Sequence, residues 1–447
     1  FVAAGSGGTF DGSNVVFTVP QVPPPSVINT GGSLGVGLIP GSATVTFTVQ
    51  ITNTGVITSG DVITNDGYLA RAAEGVGAVG SPVYKTLADA FAVIASPASQ
   101  LDGTRAGESV TYQMIVQNNG FTTDKYNLAV SGNAFPTTLW NATMTSQITQ
   151  TDNIPGGESQ TIVVKVSIPA NATNGQVDNT TITATSIGSV ATNDSVTLST
   201  TAVTYDVLLI DNDAVGAGNP NVSTYYTAAL TAAGYPNFNY WDLEDAPANS
   251  LPLNYLKAHK VVVWFTGASY PGPLLPYEDE LASFLDGGGQ LFMSGMDILD
   301  QLAGTTAFVH DYLHILWDGT ETQNDTGTVS ASALITSPWA SGLGTVPVNA
   351  ASAGLVDYND QISPIYPAEA AMLDDKGEPN ALQVNAGAYK VIFLAFPLEA
   401  YGNGTQRAML IDRAMKYFAS NNSVTSAPIS GPASGSQFPV GTTNVIF

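Results

Sequence analysis

The stretch Tyr205 to Asp213, YDVLLIDND, decides how the second half of this chain folds. Four consecutive apolar residues, Val207 to Ile210, are bounded by acids, and such a run is typical of a strand buried on both faces of a parallel sheet. Asp211, Asn212 and Asp213 would then follow at the carboxyl end of the strand, where open α/β sheets form their ligand crevice. The stretch therefore predicts an α/β domain and points to its carboxyl edge as the first place to look for a site.

The residues after this strand alternate between helical and strand patterns. Helices are predicted at 223–233, 277–285 and 405–418, and strands at 238–241, 260–265, 290–293 and 391–394. Strands that alternate with helices form right-handed crossovers. We therefore predict a doubly wound α/β domain over residues 204–420.

The first half of the chain has a period-two pattern instead. Val15, Phe17 and Val19 share one face, and VTYQMIVQNNG at 110–120 is a strand followed by an Asn-Gly turn. Short alternating strands separated by Gly, Pro and Asn turns are typical of sandwiches. The sequence predicts two Ig-like β-sandwiches, at 1–90 and 91–203, and a linker with one β-strand at 421–447.

Composition excludes several classes of function. The 447 residues include 36 acids and 12 Lys and Arg, for a net charge of −24. Nucleic acid and anionic membrane surfaces are therefore poor partners, whereas divalent cations suit so acidic a chain. The chain has no cysteine, which excludes disulfides, thiolate metal sites and a cysteine nucleophile. No apolar run approaches the roughly 20 residues that span a bilayer.

Two resemblances concern the sandwiches. Residues 7–20 and the run TVTFTV at 44–49 resemble the second half of a DUF11-type surface repeat, which implies that the first sandwich is incomplete. The second resembles bacterial Ig-like modules of the NEW3 type, on Gly107, the Asn119–Gly120 turn, Pro155 to Gly157 and Ile168 to Ala170.

Two more resemblances concern the rest of the chain. VLLIDND, YYTAALTAAGY, FLDGGGQLFMSG and FLAFPLEA resemble the class I glutamine-amidotransferase-like (flavodoxin-like) modules of secreted subtilisin-like proteases. SQFPVGTTNVIF at 436–447 resembles one strand of a HYR-type Ig-like repeat. Together they imply a bacterial secreted surface protein.

The amidotransferase resemblance implies a nucleophile at the turn around Ser294, where the family has cysteine. Ser294 would need a histidine base, such as His310, oriented by Asp297 or Asp311. The alternative is that Ser294 only shapes a tight turn. His310 and His314 lie four residues apart in HDYLH, which would place them on one helical face, either as two zinc ligands or as ordinary helix residues.

Acids that follow the first two α/β strands are candidate ligands for Ca²⁺, which binds six to eight oxygens. They are Asp211, Asp213 and Asp242, with Glu244 and Asp245 nearby. The alternative is that they cap turns and solvate loops. Tyr225, Tyr226, Tyr240 and Trp241 similarly form either a sugar-binding platform or part of the core.

Eight Asn-x-Ser/Thr sequons predict glycosylation of an exposed extracellular protein. They lie at Asn141, Asn171, Asn179, Asn193, Asn221, Asn324, Asn403 and Asn421.

The sequence predicts a non-catalytic extracellular protein that self-associates into a filament. The strand at 436–447 would complete the first sandwich of another copy through Phe438, Val440, Val445 and Phe447. Glycans are further candidate partners. The alternatives are an accessory region of a secreted subtilisin-like protease and a serine hydrolase that uses Ser294.

Overall fold

A computed structural model describes residues 89–420, except 216–217, 248–249, 270–273, 297, 300–305, 317–328, 357 and 361. Upstream it describes the backbone of ten short strands, β1–β10, which form five antiparallel pairs. The predicted tail strand lies outside the described residues, and the first predicted sandwich lies outside them apart from these pairs. The ten strands are Ala3–Ala4, Thr9–Phe10, Val15–Val16, Ser26–Asn29, Val36–Ile39, Phe47–Thr48, Val62–Asn65, Leu69–Arg71, Gly77–Val79 and Tyr84–Leu87.

The chain divides into two compact units. The first comprises Phe1–Gln100, Thr111–Val166 and Asn179–Ser199. The second comprises Leu101–Val110, Ser167–Asp178 and Thr200–Phe447. Each is described by its own sheets.

Eight strands between residues 93 and 203 form two four-stranded sheets, ordered β11-β13-β16-β15 and β12-β18-β17-β14. β13 alternates strictly between exposed and buried residues over most of its length, so one face of its sheet is apolar. The Tyr112 hydroxyl on that strand donates to the carbonyl of Ser199 in the other sheet (3.1 Å). This arrangement is compatible with an Ig-like β-sandwich. The strands are β11 (Val93–Ser96), β12 (Ser99–Arg105), β13 (Ser109–Asn118), β14 (Tyr126–Ser131), β15 (Thr137–Asn141), β16 (Ser159–Ser167), β17 (Val177–Ser186) and β18 (Asn193–Val203).

A nine-stranded sheet dominates the second unit, in the order β20-β19-β21-β22-β29-β28-β27-β24-β25. Its strands, with the small pair β23 and β26, are β19 (Val207–Asp211), β20 (Phe238–Asp242), β21 (Val261–Gly267), β22 (Gln290–Gly295), β23 (Ile315–Leu316), β24 (Ser330–Ala333), β25 (Thr345–Pro347), β26 (Ser363–Pro364), β27 (Ala368–Leu373), β28 (Pro379–Asn385) and β29 (Lys390–Leu394). The described α-helices are α1 (Ser223–Ala232), α2 (Leu253–Lys257), α3 (Glu278–Asp286), α4 (Ala307–Asp311) and α5 (Gly404–Ala419).

Alternation within the buried strands explains why helices cover both faces of the sheet. In β19, Leu208 and Ile210 pack in the core layer that also contains buried residues of α2, α3 and α4. Val207 and Leu209 pack in the opposite layer, with α1 and α5. All five residues of the strand are buried, and burial stabilises each such aliphatic side chain by about 2 kcal/mol.

The sheet differs from the doubly wound sheet of parallel crossovers that the sequence pattern predicts. Neighbouring strands from β20 to β29 are parallel, but those from β29 to β25 are antiparallel. The additional strands have sequences such as SASA and AEAAML, which lack the Val and Ile runs on which the prediction relied. The sheet is therefore mixed, and its antiparallel part is a correction to the prediction.

Candidate functional site at the carboxyl edge

The parallel strands β19, β20, β21 and β22 end close together, and we call these ends the carboxyl edge. Asp211 closes β19 and pairs in register with Asp242, which closes β20. On its other side Asp211 pairs with Phe265 of β21. Asp211 and Asp242 therefore lie side by side at this edge, as expected for acids that follow neighbouring strands.

Asp211 and Asp213 turn into the protein rather than toward solvent, each with 2% of its surface exposed. The Tyr240 hydroxyl and the Asp213 backbone N–H donate to the Asp211 carboxylate. The Val222 backbone N–H donates to Asp213 Oδ2 (2.9 Å). Burial raises the pKa of both carboxyl groups.

The acids predicted to bind calcium already accept hydrogen bonds from groups of the protein. Asp242 Oδ1 accepts a hydrogen bond from the backbone N–H of Glu244 (2.9 Å). This bond stabilises the turn that follows Asp242. Within the described ranges, no three His, Cys, Asp or Glu side chains are placed to hold a metal ion together. Calcium binding at Asp211, Asp213 and Asp242 stays a prediction, and the observed contacts give these acids other partners.

A buried polar cluster that the sequence analysis missed lies beside Asp213. It joins Tyr226 of α1, Ser294 of β22 and Glu399 of the turn after β29, and all three are fully buried. The Tyr226 hydroxyl donates to Glu399 Oε2 (2.8 Å) and lies 3.2 Å from Ser294 Oγ. We call these three residues the Tyr–Ser–Glu cluster.

The surroundings of Glu399 favour the protonated form of its carboxyl group. Burial raises its pKa to about 7, and the nearby Asp213 carboxylate adds to the effect. Its Oε1 has no hydrogen-bond partner among the described atoms, and neither does the buried Oγ1 of Thr266. A Cβ on Gly267, whose φ is +55°, would lie 3.8 Å from Glu399 Oε1 and 3.2 Å from Asp213 Cβ. Little space for a side chain thus remains at position 267 beside the buried acid.

Ser294 serves as a turn-shaping residue within this cluster. Its hydroxyl donates to the carbonyl of Phe396 (3.1 Å) and accepts the backbone N–H of Leu398 (2.9 Å). A Cβ on Gly295 would lie 1.8 Å from Thr266 Oγ1, so the position after Ser294 requires glycine. Ser294 and Gly295 themselves lie in strand β22, so the Ser294 hydroxyl holds the turn after β29 and not the turn at Ser294–Gly295 that the alternative expected.

The structure does not bring Ser294 and His310 together. Ser294 shares the α1 and α5 face of the sheet with Phe292, whereas Phe308 and Val309 of α4 pack on the opposite face. The His310 side chain is 55% exposed, and its Nδ1 lies 2.6 Å from Asp311 Oδ1.

The prediction that His310 and His314 lie on one face of a helix is also wrong. Helix α4 ends at Asp311, and His314 adopts a left-handed φ of +52°. Its Nε2 lies 3.2 Å from the Tyr389 hydroxyl, so His310 and His314 do not share one face as a zinc pair requires.

The other predicted positions have mixed outcomes. Tyr226 is a core residue, whereas Tyr240 remains 42% exposed. Asn141 is half-buried, and Asn171, Asn179, Asn193, Asn221 and Asn403 are exposed. Glycosylation stays a prediction, with Asn324 and Asn421 outside the described residues. The tail positions Phe438, Val440, Val445 and Phe447 lie outside them as well.

Among the described residues, no helix has the length and apolar content that crossing a bilayer requires.

No protein-family model and no curated protein matches this chain, so the family resemblances of its motifs stay predictions. Similar solved structures include a PapD-like domain of human CEP192, 12% identical, which covers 26% of this chain and 87% of that one with a TM-score of 0.18. The N-terminal domain of PorA has 12% identity, 26% and 91% coverage and a TM-score of 0.20. The N-terminal domain of mmIFT52 has 12% identity, 48% and 98% coverage and a TM-score of 0.31. Similarities this low assign no function.

Proposed function

We propose that this chain is a non-catalytic structural protein of the bacterial cell surface that self-associates into filaments. The Tyr–Ser–Glu cluster carries the non-catalytic part of the proposal. Ser294, Tyr226 and Glu399 are fully buried at the edge where α/β enzymes place their chemistry, and their hydroxyls bond within the protein. A nucleophilic serine needs access to substrate and a base such as histidine within hydrogen-bond reach. Ser294 is fully buried, and its described partners are the Tyr226 hydroxyl, the Phe396 carbonyl and the Leu398 N–H.

The finer fold assignment belongs to the same proposal. We assign residues 91–203 to an Ig-like module of the NEW3 type and residues 204–420 to a flavodoxin-like body of the amidotransferase type. The order of β19, α1, β20, α2, β21, α3 and β22 along the chain, with helices on both faces of the parallel strands, supports the second assignment. In such a body, dense packing provides rigidity.

Self-association is proposed to use the segment 436–447. Phe438 and Val440 alternate, as do Val445 and Phe447, which suits a strand that adds to an exposed sheet edge of another copy. At a net charge of −24, copies repel each other, so association requires a specific contact of this kind. A head-to-tail contact that does not close on itself produces a filament.

Electron microscopy and light scattering of the full chain test this proposal. Deletion of 436–447 is expected to abolish filaments, because the added strand supplies both main-chain hydrogen bonds and apolar side chains. Replacement of Val440 and Val445 by Asp should have the same effect, whereas Thr442→Ser serves as the matched control and should assemble normally. Filaments that persist unchanged after the deletion would show that the tail is not the contact.

A further inference from the structure

A second polar region of the α/β unit opens outward, between helix α5 and the antiparallel strands. It is a groove of about 880 Å³, within the range of ordinary ligand sites. We call it the α5 groove; its lining includes Trp339, Tyr366, Glu369, Gln383, Arg413 and Lys416.

The floor of the α5 groove is a row of polar side chains across three neighbouring strands. Glu369 of β27 pairs with Gln383 of β28, and Asn385 of β28 pairs with Lys390 of β29. Leu382 and Val384, the neighbours of Gln383, pack in the core layer that contains α2, α3 and α4. Because side chains alternate along a strand, Gln383 faces the other side of the sheet, where α5 lies. Polar residues thus line the face of these strands that lies opposite helix α5.

These floor groups are held in fixed orientations. The Ser337 hydroxyl donates to Gln383 Oε1 (2.6 Å), and Gln383 Nε2 donates to Glu369 Oε2 (3.0 Å). Gln383 is only 4% exposed, whereas Glu369 is exposed. The buried amide therefore orients a carboxylate toward the groove, and such preorganisation reduces the entropy cost of binding.

The charge in the groove is close to balanced, although the whole chain has a net charge of −24. Lys416 Nζ bonds to Asp412 (2.6 Å), which neutralises both on the α5 wall. Lys390 is 1% exposed and donates to the carbonyls of Tyr417 and Ser420. What faces a ligand is thus a mixture of donors and acceptors rather than a field of one sign, and this suits a neutral polar molecule.

Tyr366 stands at the rim of the groove with 90% of its surface exposed. A tyrosine this exposed contributes little to the core, and its ring has an apolar face and a polar end. Pro338 and Pro367 flank the same rim. The ring is therefore available to pack against the apolar face of a ligand whose edges carry hydroxyl groups.

We propose that the α5 groove binds a neutral oligosaccharide. A sugar ring has C–H faces that can pack on Tyr366, and its hydroxyls both donate and accept hydrogen bonds. The carboxylate of Glu369, the amide of Asn385 and the guanidinium of Arg413 together supply the complementary acceptors and donors.

Saturation-transfer NMR and calorimetry on the full chain test the proposal with cello-, manno- and chito-oligosaccharides as probes. At least one probe should bind, and Tyr366→Ala should weaken that binding about tenfold or more, as loss of an aromatic anchor does. Glu369→Gln is a second variant that keeps the shape of the side chain and should also weaken binding. Tyr358→Ala is the matched control, because Tyr358 is 44% exposed but is not among the lining residues of the groove.

Two results would overturn the proposal. One is that none of the oligosaccharides binds, including the case in which a peptide library binds the groove instead. The other is that a probe binds to Tyr366→Ala and Glu369→Gln as tightly as to the parent chain, which would place the sugar elsewhere.

Discussion

The carboxyl edge and the α5 groove are two polar regions of the same α/β unit that use their polar atoms in opposite ways. At the carboxyl edge, the Tyr–Ser–Glu cluster is fully buried and bonds to itself and to the backbone of the turn after β29. In the α5 groove, one buried amide orients an exposed carboxylate beside an exposed tyrosine. The two regions thus differ in the direction in which their polar groups are turned, inward at the carboxyl edge and outward in the α5 groove.

The largest effect that separates the two regions is expected from Ser294→Ala. The change removes one hydroxyl and leaves the Leu398 N–H and the Phe396 carbonyl without this partner in the buried interior. We expect the free energy of unfolding of the α/β unit to fall by about 3 kcal/mol, since each unpaired buried group costs about 1–3 kcal/mol. Urea denaturation followed by tryptophan fluorescence measures it.

Ser332→Ala is the matched control for that measurement. Ser332 lies half-buried in β24 of the same sheet, with Thr345 Oγ1 at 3.0 Å. Its removal should change the free energy of unfolding by less than about 0.5 kcal/mol. Equal effects of the two substitutions would contradict the turn-shaping role assigned to Ser294.

The next effect concerns pH and Glu399. Its pKa is raised by burial from 4.5 to about 7, so the folded state holds a proton that the unfolded state releases. This group's contribution to stability is fully present below about pH 4.5 and is lost as the pH rises toward 7. Between about pH 5 and pH 8 the loss amounts to about 2–3 kcal/mol, at 1.36 kcal/mol per pKa unit.

Glu399→Gln isolates this contribution, because the amide cannot ionise but can still accept from Tyr226. The free energy of unfolding of the parent and of the variant should be measured at pH 5 and at pH 8. Because only the parent loses this contribution, the value for the variant should rise relative to the value for the parent by about 2–3 kcal/mol between the two pH values. Ser332→Ala is the control and should show no such growth, because it removes no titratable group. A parallel pH dependence for parent and Glu399→Gln would mean that Glu399 is ionised in the folded protein.

The sequence predicted the parallel part of the sheet well for a physical reason. Strands such as VLLID and VVVWF are buried on both faces, so they appear as continuous apolar runs bounded by turn residues. Helix α5 begins with a capping box formed by Asn403 and Gln406, and its predicted start lies within one residue of the observed one.

The missed features depend on contacts between distant segments. Tyr226 and Glu399 meet across 173 positions of sequence, and no local pattern marks a glutamate that will be buried. The antiparallel strands have sequences such as SASA and AEAAML, in which alanine and polar residues replace runs of Val and Ile, and this weakens the apolar signal. Helix α4 ends at Asp311, and the left-handed backbone of His314 lies beyond that end, at a non-glycine residue for which no local pattern predicts this conformation.

The smallest expected effect is the stability change in Tyr366→Ala, and it sharpens the contrast with the carboxyl edge. Because 90% of the tyrosine surface is exposed, its truncation removes little buried area, and the free energy of unfolding should change by less than about 0.5 kcal/mol. Thermal and urea unfolding of Tyr366→Ala and Tyr358→Ala should give values alike within error. A loss of several kcal/mol in Tyr366→Ala alone would make Tyr366 a structural residue, and its weaker sugar binding could then no longer be attributed to a lost contact at the rim.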